Sequence, residues 1–442
     1  MPPADLDAAA AHPYDVAIIG AGPAGSACAY WLAQAGWDVV VFDKKVFPRE
    51  KTCGDGLTPR AVRQLRDLGL EPAIAGVGHR YEGLRANGFG KTLEMTWPST
   101  EAFPSYGYTI TRFNLDQLVA EHAASAGATV LGGVEVLSAI DPVAPTAGHG
   151  LASPRALLVK DKATGATAEF SARYFVVCDG ANSRIGRSLG AARNRSWPSG
   201  MALRGYFTSP RHDDPFIESH LDIRDRSGSV VPGYGWIFPL GDGRINVGVG
   251  LLSTDQRWKG VNTTKLMETF CDYAPASWEI SADTATGPAT GGRLPMGLAV
   301  GPRTGARVLL AGDAVGSVNP FNGEGISYGY ETGRLAAASI SEALSGAGAA
   351  AIHGYDEMLD AAYGDYYRVA RTFVRVIADP RIMAACVGVG MRSQRLMEEI
   401  LRLMSNLLRS SVTGPAEAGY DLLEALTNAL PASVATRLLA AS

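Results

Sequence analysis

Apolar residues along this chain come in two textures, unbroken runs a few residues long and runs diluted at helical spacing, and their alternation predicts the elements. Residues 14–43, YDVAIIGAGPAGSACAYWLAQAGWDVVVFD, read as an apolar strand, a glycine turn, a helix, a second apolar strand and a terminal acid. In the stretch KKVFPREKTCGDGLTPRAVRQLRDLGL that follows, glycine and proline mark a loop, and Thr58-Pro59 predicts an N-cap with proline at the first helical position. Residues 84–97 alternate as a hairpin does, TRFNLDQLVAEHAASAG returns to helical periodicity, and a strand is expected at about 129–131. A buried strand starting at Tyr174 ends in Asp179-Gly180, and another starting at Arg307 ends in Gly312-Asp313 before a long helix near Glu324. Between them, about 201–294 is dominated by aromatic and β-branched stretches, the mark of a second, sheet-rich unit. Small residues near 345–351 predict a turn or linker, 352–408 is helical with many arginines, and the end is another short helical stretch.

The first unit is a dinucleotide site. Gly20, Gly22 and Gly25 stand in G-x-G-x-x-G spacing: the first allows the tight bend, the second lets backbone approach a pyrophosphate, the third lets helix pack on strand. Unpaired N–H groups and the positive dipole end of the helix favour an anion at its N-terminus. Asp43, 21 residues after Gly22, is placed for a ribose 2′-OH.

Composition narrows the classes. With 442 residues, 46% hydrophobic and 19% charged, the chain can bury a large core in two or three domains. A net charge of −4 gives no overall basic field, so nucleic acid is not an expected partner. Cys28, Cys53, Cys178, Cys271 and Cys386 are scattered, with no C-x-x-C pair and no cluster with the seven histidines, so no metal is expected and a reducing cytosol suits the chain. MPPADLDAAAAHP lacks a basic region followed by an apolar stretch and reads as a short frayed lead-in rather than a signal peptide. No segment reaches 18 uninterrupted apolar residues, so spanning a membrane is not expected, whereas lying on one is compatible with the sequence.

A nicotinamide dehydrogenase needs the first motif but gives no reason for the strand ends at Asp179-Gly180 and Gly312-Asp313; an extended FAD needs all three. Asp313 is placed for a ribityl hydroxyl, and the glycines and Asn322 of NPFNGEG for bringing backbone N–H groups to the flavin pyrimidine edge. GAGPAG, CDGANS at 178–183 and AGDAVGSVNPFNGEGI at 311–326 together resemble the hydroxylase-type FAD superfamily. The fold this implies is α/β, a Rossmann-like FAD-binding domain of the aromatic-hydroxylase type with an inserted antiparallel-sheet substrate domain and a C-terminal helical region. Residues 1–83, 107–195 and 295–350 are assigned to the first, 84–106 and 196–294 to the second, and 351–442 to the third. The cofactor contacts expected by motif and resemblance are Gly20, Gly22, Ala24, Gly25, Asp43, Lys44, Cys53, Gly54, Asp55, Gly56, Arg112, Asp179, Gly312, Asp313, Gly323, Gly325 and Ile326.

More narrowly, KTCGDGLTPRAV at 51–62 and PGYGWIFPLGDGRINVGVG at 232–250 are similar to the geranylgeranyl reductase family, and with FPSYG and the late MRS and LMSNL runs the chain resembles its menaquinone-reducing branch almost end to end. The resemblance implies that Tyr234, Trp236, Phe238 and Pro239, with Tyr106 and Tyr108 nearby, line a prenyl cavity. The implied reaction saturates an isoprenoid C=C bond of a prenyl lipid, namely one isoprene unit of the menaquinone side chain. Aromatic faces would stabilise the positive charge on the tertiary carbon. Cys53, and with it Asp55, is the catalytic candidate for the proton. Saturation of a geranylgeranyl lipid or diphosphate, FAD-dependent aromatic hydroxylation and non-redox polyene cyclisation stay open as alternatives. No second glycine fingerprint follows a convincing strand, leaving NAD(P)H, ferredoxin or a membrane reductase as the electron donor. Arg368, Arg371, Arg375, Arg392, Arg395 and Arg402, interleaved with Leu, Met, Val and Ile, suggest a helical face for anionic headgroups, hence a cytoplasmic protein peripheral on the inner face of the cell membrane.

Overall fold

The computed structural model describes residues 6–145, 150–253, 260–408 and 414–429. Its principal elements begin with strand β1 (Tyr14–Ile19), helix α1 (Pro23–Gln34), β2 (Val39–Asp43), α2 (Pro59–Asp67), the hairpin β3 (Gly83–Gly88) and β4 (Lys91–Thr96), and α3 (Arg112–Ser125). Four strands follow, β5 (Thr129–Gly132), β6 (Val134–Ile140), β7 (Ala156–Asp161) and β8 (Thr167–Val177). Then come β9 (Ser199–Thr208), β10 (Phe216–His220), β11 (Gly233–Pro239), β12 (Arg244–Leu252), α4 (Thr263–Tyr273), β13 (Thr290–Pro295) and β14 (Val308–Leu310). The last helices used below are α5 (Ile326–Glu342), α6 (Asp365–Val376), α7 (Pro380–Gly390) and α8 (Gln394–Met404).

One seven-stranded sheet runs β5-β2-β1-β8-β7-β6, with β14 paired to β8. The strands β5, β2, β1, β8 and β14 are mutually parallel, which places their C-terminal ends, and so the turns after Ile19, Asp43, Val177 and Leu310, on one edge. Ligands bind at such an edge in open α/β sheets. The β1 and β2 runs are continuous rather than alternating because both faces are covered; Val16, Ile18, Val40 and Val41 are all fully buried. The second seven-stranded sheet runs β13-β9-β12-β11-β10-β3-β4. It is mixed rather than wholly antiparallel: β3 pairs parallel to β10 in the register Phe216↔Gly83 to His220↔Asn87. The reason is connectivity, since β3 and β10 are joined through α3, four strands of the first sheet (β5 to β8) and β9 rather than by a hairpin.

The lead-in is more ordered than its composition suggests. Residues Leu6–Ala11 form a short helix that buries Leu6, while residues 1–5 lie outside those described. Thr58 is the N-cap of α2 with Pro59 following, but its hydroxyl donates to Glu324 Oε1 at 2.6 Å instead of closing the cap. The helix expected near Glu324 starts at Ile326, and the small-residue linker bends at Gly346 and Gly348, both at positive φ.

The position of α1 is set by glycines. A Cβ at Gly25 would lie 1.8 Å from the Gly20 carbonyl oxygen, so the helix rests directly on the turn that precedes it. On its other side α5 packs at backbone distance, a Cβ at Gly333 falling 2.3 Å from the Ala24 carbonyl oxygen. The Thr332 hydroxyl, which accepts from the Gly312 N–H at 3.0 Å, pins the turn after β14 to the same helix. Two helix N-termini and a strand-end turn therefore converge. Gly333→Val is expected to push α5 off α1 at an overpacking cost of about 1–3 kcal/mol. A thermal melt and the FAD content of purified protein check this: the melting temperature falls by several degrees and bound flavin decreases, and an unchanged pair of values would refute the packing argument.

Candidate active site

A single cavity of about 920 Å³ runs from the C-terminal edge of the first sheet to the face of the second and on to α6, α7 and α8. This is at the upper end of the roughly 300–1,000 Å³ usual for small-molecule sites. Its polar end is built by the glycine turn. Gly20 takes φ +100°, a conformation that favours glycine, and a Cβ there would meet the Cys178 carbonyl oxygen at 2.4 Å. Gly22 is the N-cap of α1, Pro23 follows it, and no side chain caps the helix, so its first N–H groups are left for a ligand. At the end of β2, Asp43 accepts from the Ala21 N–H at 3.2 Å, the Lys45 N–H at 2.9 Å and Arg49 at 3.1 Å.

Arg49 was not legible in the sequence. It bridges Asp43 to Asp116 at 2.9 Å, and Asp116 in turn holds Arg112 through two bonds of 2.6 and 2.7 Å. This alternating chain of charges, Asp43, Arg49, Asp116, Arg112, fixes two guanidinium groups along the cavity wall. The i,i+4 spacing of Arg112 and Asp116 was a readable signal; the reach of Arg49 from a loop was not.

The third edge is formed by the turns after β8 and β14. Asp179 accepts from the Arg184 and Ile185 N–H groups through Oδ2, while its Oδ1 is buried with no protein partner. Asp313 lines the cavity, and among the described residues its carboxylate receives no hydrogen bond from the protein; burial pushes its pKa up. The NPFNGEG segment behaves differently from expectation. The Gly323 N–H donates to the Asn319 carbonyl at 2.9 Å and the Glu324 N–H to Asn322 Oδ1 at 3.0 Å, so neither is free for a ligand. The free pair is Gly325 and Ile326, at the uncapped N-terminus of α5.

Between these ends sits the CGDG loop. Asp55 takes φ +63°, is fully buried, and spends both carboxylate oxygens inside the protein. Oδ1 accepts from the Arg112 N–H at 3.2 Å; Oδ2 accepts from the Tyr206 hydroxyl at 2.6 Å and from the Asn246 amide at 2.9 Å. The same Asn246 amide donates to the Cys53 carbonyl at 2.9 Å, and its Oδ1 accepts from Trp236 Nε1 at 2.9 Å. One asparagine in an apolar strand thus ties the cysteine loop to the aromatic strand. Close packing reinforces the link: a Cβ at Gly54 would sit 3.2 Å, and one at Gly56 2.9 Å, from the Phe238 ring. Trp236 has room because Gly248 stands opposite it on β12, where a Cβ would meet the indole at 2.1 Å. Tyr234 donates to the Asn322 carbonyl at 2.8 Å, joining the aromatic strand to the α5 turn.

Of the expected residues, Gly20, Gly22, Ala24, Asp43, Lys44, Cys53, Gly54, Asp55, Gly56, Arg112, Asp179, Gly312, Asp313, Gly323, Gly325, Ile326, Tyr234, Trp236 and Phe238 all line this cavity. Gly25, Tyr106 and Pro239 do not. Gly25 is covered by the glycine turn, Tyr106 hydrogen-bonds Glu71 and Arg66 beneath an Arg80 guanidinium, and the Pro239 carbonyl accepts from Thr109. Tyr108 packs in a separate buried cluster with Leu57 and Leu65. Unforeseen is the apolar far end, where Leu84, Met95, Trp97 and Ile217 face Met383, Met397, Leu401 and Met404.

The arginine-rich C-terminal face is also corrected. Arg368 pairs with Asp365 and Glu424, Arg371 stacks on Trp197 and donates to the Gly297 carbonyl, Arg375 donates to the Ser196 carbonyl, and Arg402 is buried between Glu399 and Glu417. Only Arg392 and Arg395 of the six are exposed without a carboxylate partner among the described residues.

The residues present fit FAD: an uncapped helix start for a pyrophosphate, Asp43 for a ribose, an unsatisfied Asp313 and free N–H groups at α5. Residues 13–218 match the family model described as FAD binding domain. The chain is 41% identical to a menaquinone reductase of Mycobacterium tuberculosis over 395 residues, 89% of this chain and 91% of that protein. It is 28% identical to digeranylgeranylglycerophospholipid reductase 1 of Methanopyrus kandleri, over 88% of this chain and 96% of that protein. Among solved structures, a geranylgeranyl bacteriochlorophyll reductase-like protein of Thermoplasma acidophilum superposes with a TM-score of 0.70 at 19% identity, covering 92% of this chain and 96% of its own.

Burial pushes the Asp55 carboxyl from its ordinary 3.8 up to about 6, against the pull of the Tyr206 and Asn246 hydrogen bonds. Because the native pKa is the higher one, the folded protein keeps a proton that the unfolded chain sheds. Stability from this group is complete below 3.8 and is lost as pH rises through 6. The loss amounts to about 3 kcal/mol at most, in order of magnitude. Asp55→Asn is expected to remove that dependence. The measurement is denaturant unfolding of wild type and variant at several pH values from 4 to 7 in the absence of flavin. A stability difference that does not move with pH would show that Asp55 is ionised normally.

Proposed function

The chain belongs to the geranylgeranyl reductase family of FAD-dependent oxidoreductases, and on that basis we propose that it saturates an isoprenoid C=C bond, one isoprene unit of the menaquinone side chain. The observation that carries the reading is the continuity of the cavity, whose lining passes from the polar end past Cys53 and the aromatic strand to apolar residues such as Leu84, Met95, Ile217, Met397 and Leu401. The kinship with menaquinone reductases supports the quinone tail as substrate. The more distant digeranylgeranylglycerophospholipid reductases support a geranylgeranyl lipid as the second reading.

Bound, reduced FAD supplies the hydride. The side chains supply the rest. The α1 N-terminus would hold the pyrophosphate, Asp43 a ribose, Asp313 a ribityl hydroxyl, and the Gly325 and Ile326 N–H groups the flavin pyrimidine edge. A trisubstituted double bond has no carbonyl to polarise, so positive charge on the tertiary carbon must be met by ring faces. Tyr234, Trp236 and Phe238 offer them, at roughly 0.5–2 kcal/mol each. Cys53 keeps its proton on Sγ, since burial raises its pKa above the ordinary 9.0, and delivers it to the less substituted carbon of the double bond, so that the positive charge falls on the tertiary carbon that takes the hydride. Asp55, with both oxygens occupied, acts as a positioning residue for the loop. The reducing equivalents come from outside the chain, from NAD(P)H, ferredoxin or a membrane reductase. No described helix is long and apolar enough to cross a membrane. A substrate that resides in a bilayer supports peripheral attachment to its surface.

The test is anaerobic incubation of dithionite-reduced protein with menaquinone and, separately, with a geranylgeranyl lipid in detergent, reading product mass. The expected result is a gain of two hydrogens in the menaquinone tail. Gain only with the geranylgeranyl lipid moves the assignment to the second reading, and gain with neither overturns both. With flavin retained, Cys53→Ala is expected to slow turnover by about a hundredfold; full turnover in that variant removes the thiol from the mechanism.

A further inference from the structure

The wall that closes the apolar chamber is also an exposed apolar surface. Val374, Ile377, Pro380 and Met383, at the end of α6 and on α7, line the cavity. On the outside of the same segment Ile382 is 40% and Val389 60% exposed, flanked by Val376 at 38% and Leu396 at 42%. Four of the chain's exposed large hydrophobic residues thus fall within 376–396, and Ala385 and Cys386 are exposed between them. Around this patch stand Arg381, Arg392 and Arg395, all exposed and with no carboxylate partner among the described residues, against one aspartate, Asp379, which caps α7 through the Arg381 N–H. In a chain of net charge −4, this segment is locally cationic.

We infer that α7 is the membrane-docking element, lying on an anionic phospholipid bilayer with Ile382 and Val389 in the interface, and that the prenyl tail enters the chamber beside it. The inference deepens the proposed function and rests on it for the nature of the tail. Charge complementarity selects the occupant, because an apolar face ringed by unpaired arginines suits an anionic bilayer surface. Continuity sets the route: α7 is the layer that separates lipid on one side from the chamber on the other. Arg371, Arg375 and Arg402 take no part, being committed to carbonyl groups and carboxylates of the protein.

The experiment is co-sedimentation of the flavin-loaded full chain with vesicles of phosphatidylcholine alone and of phosphatidylcholine and phosphatidylglycerol in equal parts. Wild type should bind the mixed vesicles and not the neutral ones. Ile382→Glu with Val389→Glu should weaken binding by roughly tenfold or more. Arg392→Ala and Arg395→Ala should each weaken it by about fivefold in low salt. Turnover on substrate dispersed in detergent micelles is measured alongside, with flavin absorbance and thermal melts as folding controls. The variants should match wild type in micelles and fall behind only on vesicle-embedded substrate. Equal vesicle binding by wild type and the glutamate variant overturns the docking inference even if turnover is intact. So does a patch that instead mediates self-association, seen as a dimer that the glutamates dissociate without any vesicle binding. If wild type binds vesicles but reduces no prenyl substrate in micelles, the functional reading fails while the docking surface stands.

Discussion

The first turn of α1 is enclosed at backbone distance on several sides, and at each contact there is no room for a methyl group. Gly25 lies on the Gly20 carbonyl, Gly333 on the Ala24 carbonyl, and a Cβ at Gly312 would fall 2.7 Å from that of Ala24. This crowding brings an uncapped α1, the turn after β14 and an uncapped α5 to the same edge of a parallel sheet. Helix starts without caps are unfavourable alone, because their N–H groups lack partners. Here the cost is concentrated where an anionic or electron-rich ligand offsets it.

A second constraint couples the two sheets. Asn246 contacts Asp55, the Cys53 backbone and Trp236 at once, and every one of these bonds is buried or nearly so. A buried network of this kind stabilises only when all members are satisfied. Its members come from the loop after β2 and from strands β9, β11 and β12, so the cysteine loop is positioned by the sheet it faces. The positive φ of Asp55 persists because that network over-determines it.

Much of this arrangement was legible in local pattern. The glycine fingerprint, Asp43, the strand ends at Asp179 and Asp313 and the aromatic repeat of β11 are short-range signals whose chemistry is nearly independent of context. What was illegible depends on long-range side-chain partners. Arg49 reaches Asp116, 67 residues further along the chain, and nothing in its loop announces it. Tyr106 read as cavity-lining because aromatic residues cluster nearby, but Arg66 and Glu71 claim its hydroxyl. The C-terminal arginines read as a cationic face for the same reason: periodicity records where a side chain points, not which carboxylate awaits it. Gly248 is the converse case, since a glycine in an apolar strand marks a close approach, here of Trp236.

The chamber beyond Trp236 is walled by thioethers, aliphatic groups and an indole, and Met383, Met397 and Met404 can re-pack around whatever occupies it. Successive isoprene units are chemically alike, so a largely apolar wall of this kind tells them apart by position. On the proposed chemistry, regioselectivity is therefore metric rather than chemical. The unit that reacts is the one that reaches the cysteine loop when the tail has run as far as the chamber allows, and the cavity serves as a ruler.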